Sequence, residues 1–175
     1  VTLGADTTLT GVDVVFHSTV NGGKALVVND SGMTQFLGAV GGTTALTSVT
    51  TDAAGTTDLN GGSVRTTGAQ TYNDAVLLSA DTTLTGSGIT FGGTIKSTGG
   101  SNYSLAITDG GLTTLSGAIG SSTLADQLSS LTLSSTGGIS LNAGSVYSTG
   151  SQSYTGAVTL GADTTLTGVD VVFHS

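Results

Sequence analysis

Eleven acidic residues, all Asp, face three cations and two His in a chain of 175 residues. Asp6, Asp30, Asp52, Asp81, Asp109 and Asp163 each follow a short apolar stretch and open a polar turn. If those turns stack, the carboxylates crowd along one edge and repel unless a cation or hydrogen bonds intervene. Calcium is the one cofactor this pattern would take, through carboxylate and turn carbonyl oxygens. Neither D-x-D-x-D-G nor G-G-x-G-x-D is present, so the simpler expectation is that each Asp accepts hydrogen bonds from nearby turn amides. His17 and His174 occupy one repeat position, with no Cys and no second distinct His to complete a metal set. Pairing with Asp13 or an adjacent Ser would make such a His structural. No G-x-S-x-G elbow accompanies the many hydroxyls. Three scattered cations offer no groove for cleaving polysaccharide. No catalytic residue is therefore assigned, and the chain reads as a non-enzyme with no required cofactor.

Two other residue types could bind. Thr8-Leu9-Thr10, Thr83-Leu84-Thr85 and Thr165-Leu166-Thr167 repeat a T-x-T pattern that would suit ordered water or ice. Asp58-Leu59-Asn60 and Ser140-Leu141-Asn142 interrupt it, and solvent-facing β-formers stacked in ladders explain it equally. Tyr72 and Tyr154 share a repeat position. They would either contact a sugar or neighbouring fibre, or cover a corner of the core.

Charge and composition narrow the partners. A net charge of −8, with Lys24, Arg65 and Lys96 as the only cations, cannot displace counterions from nucleic acid. It is equally unsuited to anionic lipid. No apolar run approaches a membrane span of about 20 residues, so no membrane insertion is expected. Ser and Thr number 56 and Gly 29, with no Pro, Cys or Trp. Low charge with recurring Val, Ile and Leu is not the signature of disorder, and the helix formers of a bundle are scarce. The start at Val1 reads as the interior of a longer chain.

Repetition supplies the architecture. Residues 1–18 and 158–175 are identical, which sets a period of 157 residues. ADTTLTG at Ala5–Gly11 returns at Ala80–Gly86 and Ala162–Gly168, dividing the period into halves, 1–75 and 76–157. Residues 158–175 begin the next copy. Within each half, short β-branched runs alternate with Gly, Asn, Asp and Ser turns. Leu9, Leu37, Leu59, Leu84, Leu115, Leu141 and Leu166 mark units of about 26 residues, six per period. One such unit cannot bury its apolar face alone, but stacked units can. The fold expected is all-β, a parallel right-handed β-solenoid with the marker leucines in one internal column. Only Leu124–Leu128 carries a helix signal.

ADTTLTG, TTLSGAIG, LNGGSV and TGAQTYNDA resemble the repeat regions of giant secreted bacterial adhesins of the filamentous-haemagglutinin type. The resemblance spans essentially the whole chain and is specific to a style of repeat, not an activity. It implies an extracellular shaft of β-helical coils at the bacterial surface, with secretion and binding regions elsewhere. The expected role is a structural segment of an extracellular fibre or adhesin shaft. Its partners would be identical repeats or copies end to end, and laterally packed fibres or cell-surface carbohydrate. The rival role is a binding module whose Thr- or Asp-lined face recognises carbohydrate, ice or calcium.

Overall fold

The computed structural model describes residues 1–174. The chain winds as a parallel β-solenoid of about eight turns, each turn laying a short strand or a single bridge residue on each of three faces. Face 1 holds eight strands: Thr7–Gly11, Ala25–Asp30, Ser48–Thr51, Gln70–Tyr72, Ile89–Phe91, Thr113–Leu115, Ile139–Leu141 and Val158–Leu160. Face 2 runs from Val14–Phe16 through Met33–Phe36, Thr56–Leu59 and Ala75–Leu78 to Ile95–Ser97. Single bridges at Ile119 carry it on to Ser145–Tyr147 and Thr165–Thr167. Face 3 begins with bridges at Val20 and Val40. It continues through Ser63–Arg65, Thr82–Gly86, Leu105–Asp109, Leu131–Ser135 and Gln152–Thr155 to Val171–His174. Every named strand pairing is parallel, and the only helix among the described residues is one 3₁₀ turn at Leu124–Asp126.

Alternation makes each strand two-faced. Leu84, Ile107 and Leu133 point inward on face 3 and are fully buried, while Thr83, Ala106 and Thr132 between them point out. The interior is aliphatic, with one parallel aromatic stack per face. Phe16 lies on Phe36, Tyr72 on Phe91 and Tyr154 on Phe173, each pair with ring centroids 5.0 Å apart. At the corners, glycine lets backbones of successive coils touch. A Cβ on Gly61, Gly117 or Gly137 would overlap the backbone of Gly38, Gly93 or Gly111 in the coil below.

The coil count corrects the sequence reading. Between paired residues, one turn takes from 19 residues (Ser140 to Thr159) to 27 (Ile119 to Val146). The mean is between 21 and 22, not 26: Thr8 reaches Thr159 in seven steps along face 1. A period of 157 residues thus spans seven turns and a third, in place of six coils. Leu9 lies on face 1, Leu84 on face 3 and Leu166 on face 2, so each half-repeat advances three turns and two thirds. The marker leucines therefore form no single column. Leu59 is on face 2, Leu115 and Leu141 pair on face 1, and Leu37 is exposed at a corner. The physical reason is that all three faces demand the same alternation and strand length, so T-x-L-x-G fits any of them.

Candidate functional site

The corner aspartates are distributed, not stacked on one edge. Asp6 and Asp109 lie between faces 3 and 1, Asp30, Asp52 and Asp163 between faces 1 and 2, and Asp81 between faces 2 and 3. Only Asp30 and Asp52 are neighbours, and there the Asp30 amide donates to Asp52 Oδ1 at 2.9 Å.

Two of these carboxylates are buried collars of a D-x-G-x-T turn. Asp30 accepts from the Val14 and Gly32 amides and the Thr34 hydroxyl, at 2.7, 3.1 and 3.1 Å. Asp109 accepts from the amides of Gly88, Ile89 and Gly111 and the Thr113 hydroxyl, at 2.7–2.9 Å. Burial alone would raise the Asp109 pKa, but the four donors outweigh it and hold the carboxyl below its ordinary value. Each collar ties two coils together, because Val14, Gly88 and Ile89 belong to the preceding turn.

Asp6 and Asp81 do a related task. They accept from the amides that lead the next coil, Ala25 at 3.0 Å and Ser104 at 2.8 Å. Asp163 repeats them in sequence, yet no such amide reaches it among the described residues. Among those residues, no three His, Cys, Asp or Glu side chains are grouped as a metal would need.

Asp74 and Asp58 were not singled out by the turn pattern. Asp74 is buried and accepts from the Thr51 and Thr57 hydroxyls, both at 2.8 Å. Burial raises its pKa, the two hydroxyls oppose the shift, and the charge of Asp52 adds to it. Asp58 sits on the outer row of face 2 between Gln35 and Leu77. Its Oδ2 accepts from Gln35 Nε2 at 3.3 Å, and its buried Oδ1 has no partner.

The tyrosines belong to the core. Gln70 Nε2 lies 2.9–3.3 Å from the Val64 and Thr85 carbonyls and the Thr66 hydroxyl, while Tyr72 donates to Gln70 Oε1 at 3.1 Å. Gln152 and Tyr154 reproduce this latch with Val146, Thr167 and Ser148. Burial, then the charge of Asp74, pushes the Tyr72 phenol upward; burial does the same at Tyr154. The sequence signal was the parallel between TTGAQTY and STGSQSY. What it lacked was the direction of the Gln, which points inward.

His17 is exposed at a corner, and neither it nor His174 is hydrogen-bonded to an Asp or Ser among the described residues. Outward hydroxyls are concentrated on faces 1 and 3, whereas the outer row of face 2 reads Val15, Gln35, Asp58, Leu77 and Lys96. Two files run along face 3: Thr83, Ala106, Thr132 and Ser153 beside Thr85, Thr108, Ser134 and Thr155. Arg65 and His174 end the second file. The largest excursion from the shaft lies between faces 2 and 3. There Lys96 and Asp126 pair at 3.1 Å, and Asn102 Nδ2 donates to the Leu124 and Gln127 carbonyls.

The remaining feature is the last turn. Leu160 and Phe173 are 56% and 52% exposed although their side chains point along the inner rows. With Gly156, Ala157, Val158 and His174, Phe173 lines an open depression at this end. No helix among the described residues is long and apolar enough to cross a membrane. No family model, curated protein or solved structure matches the chain.

Proposed function

We propose that this chain is a non-enzymatic structural segment of an extracellular bacterial fibre or adhesin shaft, built by axial continuation of solenoid coils. One observation carries the reading: three parallel faces, built from eight-, six-, five- and two-stranded sheets linked by single bridges, run the length of the molecule, and among the described residues their end strands are paired on one side only. The first and last turns share one sequence. Unpaired strand edges are templates for further pairing, and a contact that joins one end to the other propagates instead of closing. The adhesin style of the repeats supports the extracellular setting.

A second reading, a binding face for carbohydrate or ice, draws on the two hydroxyl files of face 3. The shift of faces weighs against it. The T-x-T pair of each half-repeat moves from face 1 to face 3 to face 2, so the hydroxyl rows are two files wide only on face 3 and narrow to the single file from Thr50 to Thr159 on face 1. Electron microscopy of the intact material tests the shaft. Seven and a third turns at about 4.8 Å give a rise of roughly 35 Å per period, so filaments with that axial spacing are expected. Compact particles without an axial repeat would overturn the proposal.

A further inference from the structure

The molecule shows the same sequence twice, once with a following turn and, among the described residues, once with only a preceding one. Residues 1–16 carry a following turn, Thr19–Phe36. Leu9 pairs with Val28, and Phe16 stacks on Phe36. The Leu3 amide donates to the Asn21 carbonyl. Asp6 and Asp13 accept from the Ala25 and Met33 amides at 3.0 Å, and the Val14 amide donates to Asp30 at 2.7 Å. Residues 158–173 are identical, but they stand one face further round, and among the described residues only the preceding turn packs against them. Phe16 is 6% exposed where Phe173 is 52% exposed.

We infer that the last turn is a docking surface for a second copy of Thr19–Val40, seated one face further round than in the first copy. This rests on the shaft reading and names its contact. The second copy of Ala25–Asp30 pairs with Thr165–Thr167 on face 2, where the original lies on face 1. The second copy of Met33–Phe36 pairs with Val171–His174 on face 3, where the original lies on face 2. Its Phe36 extends the Tyr154–Phe173 stack to three rings. Asp163 and Asp170 gain the amides that Asp6 and Asp13 already hold. A solenoid continued this way turns each period by one third of a coil relative to the last. Any surface feature unique to the period is then presented on three faces in succession and returns to its starting face after three periods.

The test lengthens the chain by a second copy of Thr19–Val40 and follows amide hydrogen exchange. Residues 158–174 should slow at least about tenfold, toward the protection of residues 1–16. Oxidised register pairs fix the geometry. Val15 and Gln35 are neighbours on the outer row, so Val172→Cys should cross-link to a Cys at the repeated Gln35. Should the longer chain fail to fold, the 22-residue segment is added as a peptide to the original protein, with the same exchange readout. Protection in either arm together with the cross-link supports the inference. Unchanged exchange in both arms, or protection without the cross-link, overturns it. Filaments formed without that register would leave the shaft standing and remove only this contact.

Discussion

Gln70–Tyr72 and Gln152–Tyr154 are one latch at two depths of the stack. The first sits mid-solenoid, its tyrosine against Phe91, which is itself buried. The second has the same hydrogen bonds, but its stacking partner Phe173 is half exposed. Local chemistry is therefore shared between the half-repeats, while its energetic weight depends on how many coils lie above. In a nearest-neighbour array, stability comes from the interfaces between units as much as from the units.

The widest gap between the halves should appear on placing a charge in the core. Leu84 is fully buried beside the first latch, and its repeat Leu166 is only partly buried in the last turn. Leu84→Asp should cost about 4–5 kcal/mol through an unpaired buried charge. Leu166→Asp should cost about 1–2 kcal/mol by the same mechanism, since its carboxylate reaches water. Urea midpoints of the two variants decide this, and equal losses would mean that the last turn is as enclosed as the middle.

Removing the rings asks the same question more gently. Tyr72→Ala should cost about 3–5 kcal/mol, the usual range for a large buried aromatic. Tyr154→Ala should fall below it, and its effect on hydrogen exchange should stay within the last two or three turns.

Smaller again is a contrast in pH dependence between two buried aspartates. The Asp109 pKa is depressed, so its contribution is present above the unfolded value of about 3.9 and lost as pH falls through the folded one. The Asp74 pKa is raised, so its contribution is present below about 3.9 and lost as pH rises through the folded value. Asp109→Asn should thus be more damaging at neutral pH than near pH 3. Asp74→Asn should show the reverse ordering. Stability curves of both variants against pH check the signs.

Much of the fold was legible because a solenoid needs only two signals, alternation within strands and punctuation between them. TTLT (Thr82–Thr85), LAITD and QTY each alternate buried with more exposed residues. Leu124–Asp126 forms a helical turn, the only one among the described residues, where LADQL suggested one. The winding number was not legible. Leu37 shares the L-G context of the marker leucines yet falls at a corner, because Phe36 is the inward residue of its strand. Identical ADTTLTG segments occupy three different faces, and only the summed loop lengths decide which. The aspartates were found by type, but their roles were set by neighbouring coils. Asp109 is a collar because Gly88 and Ile89 lie 20 or so residues earlier and one turn below. Gln70 went unmarked because an inward polar residue looks like any other strand residue, and Asp74 because it sits in the bend after Tyr72, outside the pattern of an apolar stretch followed by Asp.

A period contains seven and a third turns, so that repeated segments change face. Engineered cysteine pairs test it in a protein that has no Cys of its own. In the observed register, Thr83 is the outward neighbour of Ala106 on face 3, and Thr90 is the outward neighbour of Thr114 on face 1. Adjacent parallel strands place such residues about 4.8 Å apart, within the span of a disulfide. Thr83→Cys with Ala106→Cys, and Thr90→Cys with Thr114→Cys, should each cross-link under mild oxidation. A six-coil winding that stacks Leu84 on Leu115 would instead bring Thr83 beside Thr114. Cross-linking of Thr83→Cys to Thr114→Cys, with neither of the other pairs forming, would mean a six-coil winding in place of seven and a third turns.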